Sequence, residues 1–550
     1  MLMKSKQSSV SFYRPVCRLI VFICFGIAPG VLAQSAQGQT EVAKDGSAAG
    51  ASDASTNVNA EILKELQQMR ARIAELETRL KAQSNTAQNN NAAADSSTAQ
   101  ASIVSAPAKP VLVETAAVEE QEPAKAEKQK PAEPFAFADF TWLNGNARTK
   151  KPALDTEFFT GEFRFDTSYI YDYNHPIDHT LSGTTESGRT GEFQVQQIGI
   201  GGDFHYDNVR GRLMTQFGMY STMTPRNDPT PGRGQWNLDD AYRYISEAYG
   251  GYHFDKLHGI NVDAGIFMSY IGLFSYYNFD NWAYQPSFVS SNTPWFFNGV
   301  RVQVFPTEKL KLETWLINGW QSYGSANGRP GLGMQILYRP NGSVSITSNN
   351  YGVGRDTLGA VHRTRWHTDD SIEVKYYDQP EKFLDKVAFS LTGDAGCESG
   401  SGVSCFGNGS SGPKQSFLGA MFYNRFWFHK DIYAFTIGGG GINNPGRYLV
   451  LLPPINGATV FSGTPYFTEN PGDPFKAWDV TGTWDYMPSQ YVTFRFEYGH
   501  RASNVPYWSG SGGVTPPGGN TGAPGSFVAG FTPDLRKREN RLNMALLVKF

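Results

Sequence analysis

The chain has 550 residues, of which 58 are Gly, 14% aromatic and only 18% charged, and its mean hydropathy is −0.40. That mean is too polar for a bundle of transmembrane helices, and a formal net charge of −3 gives no basis for binding nucleic acid. It suits a transmembrane barrel, where only alternate residues meet lipid and the lumen is polar.

Residues 1–33 have the pattern of a secretory signal peptide. Lys4, Lys6, Arg14 and Arg18 precede an apolar run from Leu19 to Ala28, and Val31-Leu32-Ala33 places small residues before Gln34. No Cys follows the cut, so a lipid anchor is not expected. Four of the 48 basic residues lie in this leader, which leaves 44 against 51 acidic ones, a net of −7. Residues 34–59 are rich in Ser, Ala, Gly and Asn and are expected to be disordered.

Residues 60–83 carry heptads. Ile62, Leu66, Met69, Ile73, Leu76 and Leu80 alternate as a and d positions, and the Glu65/Arg70 and Arg72/Glu77 pairs set opposite charges at g and e. This predicts a parallel coiled-coil oligomerisation helix, and its mixed Leu/Ile core favours a homotrimer. A lone amphipathic helix docked on another element is the alternative. Residues 84–133, low in aromatics, form a flexible linker. At about 5–6 Å × √n a linker of that length covers roughly 35–42 Å. That reach places the coil in the periplasm and within range of peptidoglycan.

From residue 134 the texture changes to aromatics, Gly and alternating segments, and 134–550 reads as the barrel domain. Strands are expected at 162–173, 193–206, 209–220, 242–254, 260–270, 295–305, 310–318, 331–339, 344–351, 361–367, 371–377, 416–428, 432–440, 477–486, 491–499 and 541–550. Trp478, Val480, Trp484 and Tyr486 oppose Asp479, Thr481, Thr483 and Asp485, which is the two-residue period of a wall with one apolar face. The last strand puts Leu542, Met544, Leu546, Val548 and Phe550 on one face, with Leu547 the apolar exception on the other. A terminal aromatic there resembles the assembly signal of outer-membrane barrels.

Connections alternate long and short. The short ones include Asp207-Asn208, Arg339 to Ser343, Thr368-Asp-Asp370 and His429-Lys-Asp431; the long ones begin near 174, 221, 271, 319, 352, 378, 441 and 500. Short turns on one side and long loops on the other are the signature of outer-membrane barrels. The fold class is therefore all-β, a transmembrane antiparallel barrel of about 16 strands, with 18 as the alternative. The segment 385–392 also looks like a strand, but is assigned to the sixth loop to preserve parity. Aromatics at strand ends (Tyr169, Tyr171, Tyr173; Tyr220; Phe426, Trp427, Phe428) suit interfacial girdles.

The segment from Asp263 to Trp320 joins a strand to a Gly-rich aromatic loop, a Pro294-x-x-x-x-Gly299 return and Leu310-x-Leu-x-x-x-Leu-x-Asn-Gly-Trp320. It resembles the OmpL-like outer-membrane β-barrel porin family of Gram-negative bacteria. The resemblance implies a passive diffusion channel for small hydrophilic solutes, embedded in outer-membrane lipid. By analogy with porins, the third loop, 271–293, forms the constriction.

That loop holds Phe274, Tyr276, Tyr277, Phe279, Trp282, Tyr284 and Phe288 but one charge, Asp280, which suits sugars or similar neutral compounds better than phosphate. The alternative is that these rings pack the loop on the wall. Further pore-lining candidates are Arg301, Arg363, Arg365, Lys375, Asp479, Arg495 and Glu497, charges on the polar face of the strands.

Cys397 and Cys405 point to a small loop disulfide, since no His or further Cys accompanies them as metal ligands. His175 and His179 are separated by Pro176, against a helical metal pair. No catalytic residues, metal or cofactor are expected: the chain has no G-x-S-x-G elbow and no paired catalytic carboxylates on a recognisable scaffold. A structural envelope protein, with the barrel anchoring a coiled-coil tether, is the second reading, and an outer-membrane hydrolase the third.

Overall fold

In the computed structural model the chain divides into two compact units, Met1–Pro123 and Ala124–Phe550. The structure describes Ala71 and residues 132–184, 187–225, 228, 230, 235–325, 328–354, 362–407, 410–445, 474–517 and 529–550. The expected signal peptide and disordered segment, the expected coil apart from Ala71, and the expected linker up to residue 131 lie outside the described residues.

The second unit is built from strands β1 (Phe159–Asp172), β2 (Phe193–Tyr206), β3 (Val209–Thr215), β4 (Ile245–Phe254), β5 (Ile260–Met268), β6 (Phe296–Thr307), β7 (Leu310–Ile317), β8 (Gly331–Asn341) and β9 (Val344–Gly354). They continue as β10 (Thr364–Asp378), β11 (Leu384–Ser399), β12 (Ser416–Phe428), β13 (Tyr433–Asn443), β14 (Lys476–Ser489), β15 (Val492–Ser503), the short β16 (Trp508–Ser509) and β17 (Leu535–Arg536), and β18 (Arg538–Lys549). Sixteen of them, all but β16 and β17, close an antiparallel barrel in which each strand pairs with its neighbour in sequence and β18 joins β15 to β1. Closure leaves no edge, so every wall peptide finds a partner, the condition for strands to cross lipid.

Burial follows the two-residue period. Along β14 the exposed Trp478, Val480, Trp484 and Tyr486 alternate with the buried Asp479, Thr481, Thr483 and Asp485. Leu547 is fully buried against Phe279, Tyr284 and Ile170, so an apolar side chain on the lumen face of β18 meets an element inside the barrel. Phe550 stacks outside on Phe163, with ring centroids 5.0 Å apart, at the seam between last and first strands.

Two strand assignments are corrected. Thr368-Asp-Asp370 is not a turn: Thr368 pairs with Asn350 and Ala395, and Asp370 with Ser348 and Gly393, inside the single 15-residue β10. The segment 385–392 is not loop but the start of the 16-residue β11. Both strands exceed the roughly 9–11 residues that cross a bilayer, and Asp369 faces the lumen, so a polar run typical of a turn is carried within a strand.

One expected hairpin thus becomes one strand and one expected loop segment another, which keeps the total at sixteen. The short turn is 379–383, and the sixth long loop is 400–415. Cys397, at the end of β11, is disulfide-bonded to Cys405 in that loop, with Cα atoms 5.0 Å apart. Two aromatics expected in the girdles lie elsewhere: Tyr220 is buried in a short helix α1 (Tyr220–Met223), and Trp427 faces inward.

At the long-loop end the first loop (173–192) is clasped to the eighth (504–537). Asp178 accepts the N–H groups of Val514 (2.8 Å) and Thr515 (2.7 Å), and the hydroxyls of Ser182 and Ser509 lie 2.8 Å apart. Burial by itself would raise the Asp178 carboxyl, but hydrogen bonds from Thr515, Val514 and Thr180 outweigh it and hold the group below the ordinary carboxylate value. A depressed folded-state pKa gives stability that is present above the unfolded value and lost as pH falls through the folded one. Amide exchange at Val514 and Thr515 should therefore accelerate only below about pH 4, and Asp178→Asn should already show fast exchange at neutral pH. Exchange rates flat from pH 7 to 3, apart from the intrinsic chemical dependence, would refute the clasp.

Candidate functional site

The third long loop, 269–295 between β5 and β6, turns into the lumen. Every residue from 276 to 297 is buried. A polar backbone enclosed in this way needs partners for its N–H and C=O groups, and the wall supplies them as charges. Glu497 accepts the N–H groups of Tyr284 (2.5 Å) and Gln285 (2.8 Å). Asp479 accepts Phe288 N–H and the Ser287 hydroxyl, both at 2.8 Å. Arg495 donates to the carbonyls of Asn278 and Asn281 while paired with Asp485 at 2.7 Å. Arg425 binds the same Asp485 at 2.7 Å and donates to the Trp282 carbonyl.

The opposite flank is held by β1 and β4. Arg164 pairs with Asp280 at 3.0 Å and lies 4.0 Å over the Tyr277 ring, and it also bonds Glu162. The Tyr277 hydroxyl donates to Glu247 at 2.9 Å, and Asp166 accepts Tyr284 Oη and Asn278 Nδ2, each at 3.0 Å. Close approach of the loop needs glycine on β13. A Cβ at Gly438 would fall 2.1 Å from the Tyr423 ring, and one at Gly440 would fall 2.5 Å from Ser287 Oγ. These inward glycines make room for the loop and its supporting aromatics.

The barrel also contains a segment that precedes it. Residues 132–151 form a strap across the short-turn mouth. Phe135 N–H bonds Glu308 O, Trp142 Nε1 bonds Gly342 O, and Arg148 donates to the carbonyls of Ser489 and Val492, so the strap touches turns on well-separated strands. Trp142, Leu143 and Asn144 are buried against the third loop: Trp282 N–H donates to Asn144 Oδ1 (2.8 Å) and Trp282 Nε1 to Trp142 O (3.1 Å).

Loop, strap and wall do not fill the lumen completely. A cavity of about 260 Å³ lies between them and strands β8–β10. On the wall side it is lined by Gln335, Leu337, Arg339, Ser345, Thr347, Asn349, Ser371 and Glu373, and on the other by residues 143–146 of the strap and Met268–Tyr276 and Trp295. Its charged lining residues are Arg339 and Glu373. Glu373 accepts Asn144 N–H at 2.8 Å, and the Arg339 guanidinium lies 4.9 and 4.5 Å over the Phe135 and Phe140 rings.

The residues singled out from sequence fall in different places. Phe274 and Tyr276 border the cavity; Tyr276 Oη is spent on Gln216 at 2.8 Å. Tyr277, Asp280, Trp282 and Tyr284 point at the wall, Trp282 with its ring 5.5 Å from Trp427. Asp479, Arg495 and Glu497 are the anchors described above. Arg301 pairs with Asp263 at 2.9 Å between the rings of Tyr249 and Phe267. Arg363 and Arg365 share Glu398, at 3.1 and 2.9 Å, and Lys375 pairs with Asp378. The uncharged Ser345, Thr347, Asn349 and Ser371 were missed, although the inward parity of β9 and β10 marks them.

A closed sixteen-stranded barrel with an infolded third loop and a polar cavity beside it is the architecture of an outer-membrane porin, a channel rather than an enzyme. The family model described as "Putative beta-barrel porin-2, OmpL-like" matches residues 164–531, more than half of the chain. The protein belongs to that family. Among solved structures it is similar to the outer membrane channel DcaP of Acinetobacter baumannii, at 14% identity over 74% of this chain and 100% of that one, with a TM-score of 0.39. OprB of Pseudomonas putida matches at 11% identity over 72% of this chain and 94% of that one, with a TM-score of 0.41. An anion-selective porin from Comamonas acidovorans matches at 10% over 71% and 99%, with a TM-score of 0.40. Comparison with curated proteins gives no match.

If wall charges hold the loop, removing one should cost far more than removing an exposed pair. Arg495→Ala, which strips a buried partner from Asp485 and two loop carbonyls, should lower barrel stability by about 3 kcal/mol. Arg536→Ala, at the half-exposed Arg536–Asp534 pair, should cost under about 1 kcal/mol. Urea unfolding in lipid, followed by tryptophan emission, measures both. Equal losses would contradict the anchoring role.

Proposed function

We propose that the passage along β8–β10 carries small uncharged solutes, sugars or similar hydroxyl-bearing compounds, by passive diffusion. The observation that supports this best is the lining. Serine, threonine, asparagine and glutamine side chains on the wall face Ile271, Leu273 and Phe274 of the loop, with one guanidinium and one carboxylate between them. Amides and hydroxyls exchange hydrogen bonds with a polyol, while the apolar side accepts its C–H face. A single opposed charge pair gives little preference between cations and anions.

In the same proposal the short-turn end faces the periplasm. Residues 1–33 are removed on export, 34–59 and 84–133 are spacers, and the heptads of 60–83 associate three chains and reach toward peptidoglycan. Phe550 is the assembly signal of the last strand. The heptad spacing and the flanking compositions support these parts.

Liposome swelling with a series of neutral sugars tests the proposal. The rate should fall steadily from pentose to hexose to disaccharide, and the zero-current potential in a salt gradient should stay near zero. Folded barrel that admits no neutral solute, or a strongly shifted zero-current potential, would contradict it.

A further inference from the structure

The strap has a geometry that mere chain entry does not require. It begins against the β4–β5 and β6–β7 turns, where His258 Nδ1 lies 2.9 Å from Ala132 O and Phe135 N–H bonds Glu308 O at 2.8 Å. It ends at the β14–β15 turn, where Arg148 donates to Ser489 O at 2.6 Å and Lys150 N–H to Gln490 Oε1 at 2.9 Å. β7 and β14 are seven steps apart around a ring of sixteen, so the strap runs close to a diameter of the mouth.

Midway it is fused to the third loop. Gly145 N–H bonds Asp280 O at 3.1 Å, and Gly145 adopts a φ of +77°, with a Cβ there falling 2.6 Å from Leu273 O. Only glycine combines that backbone with that approach. Together with the two Trp282 bonds this makes loop and strap one continuous partition. Its edge, Leu143 to Asn146, lines the cavity and is pinned to the wall at one point, where Asn144 N–H is bonded to Glu373, the one carboxylate among the cavity-lining residues.

We infer that the strap is a selectivity element of the pore: it is pinned to the wall where Asn144 N–H meets Glu373, and solute passes beside that contact, along the cavity that the strap lines together with Ser345 and Ser371. The third loop narrows the passage from one side, and the strap sets its width at the short-turn end. Asn144 and Asn146 present amides to the solute there, and Asn144 also fixes the Glu373 carboxylate. The inference rests on the channel reading, since a selectivity element requires a conducting pore.

Asn146 suits a test, being half-buried and at the cavity edge, with its side chain bonded through Nδ2 to Phe140 O at 3.2 Å. With Cys397 and Cys405 bonded and Cys17 and Cys24 in the leader, Asn146→Cys supplies a single free thiol in the exported chain. Cationic and anionic methanethiosulfonates are added to single channels in a planar bilayer, with mass spectrometry of the same sample.

Both adducts should cut unit conductance by about half, and they should move the zero-current potential in opposite directions. As a second variant, deletion of residues 134–150 should raise unit conductance about twofold and weaken discrimination by solute size. A confirmed adduct without change in conductance or potential would overturn the inference, as would a thiol that reacts only after unfolding. Wild-type, substituted and deleted barrels that are all folded yet silent would instead overturn the channel reading.

Discussion

The interior of this barrel is governed by the cost of burying charge. Asp479, Asp485, Arg495 and Glu497 are each 5% exposed or less, and an unpaired ion in such a place costs several kcal/mol. The wall does not carry enough opposite charge on β14 and β15 to satisfy them all. The third loop makes up the difference with backbone: its N–H groups cap Glu497 and Asp479, and its carbonyls cap Arg495 and Arg425. The same bonds satisfy a loop that would otherwise bring a run of unpartnered peptides out of water. Neither partner is stable in its place without the other.

This mutual dependence makes the lumen lopsided. Where the wall carries dense charge, on β12 to β15, β18, β1 and β4, the loop is bonded closely against it. Where the wall lining is mostly hydroxyl and amide, at Gln335, Ser345, Thr347, Asn349 and Ser371, the loop is held by neutral bonds such as Gln335 Nε2 to Tyr270 O and Tyr270 Oη to Asn350 O, and a polar cavity is left. The strap extends the same partition across the mouth, with Asn144 spanning the loop on one side and Glu373 on the other.

The wall was legible in the sequence because its rule is local. Alternation along Trp478–Tyr486, turn chemistry at Asp207-Asn208 and the long-short rhythm of connections each need only a few neighbouring residues. The rule failed where a strand carries a polar run. Asp369 and Asp370 look like a turn, yet they lie within β10, where Asp369 faces the lumen and meets no lipid.

The site was less legible, because its contacts join residues far apart in sequence. Tyr284 and Glu497 are 213 residues apart, Asn144 and Glu373 229 apart. Parity shows that Arg495 and Glu497 face inward, but not that a loop lies over them. The aromatic run from Phe135 to Trp142 stands out as a change of texture, but alternation alone does not separate an interior strap from a wall strand.

The central claim is that the open sector is the one along β8–β10, and filling that sector tests it most directly. Thr347 sits on β9 at the cavity wall, away from the ionic anchors of the loop. Single-channel conductance of Thr347→Trp, in protein shown to be folded by its heat-modifiable mobility, should fall to a small fraction of wild type. Conductance that stays at the wild-type level would show that solute takes another route, and the asymmetric lumen described here would not be the channel.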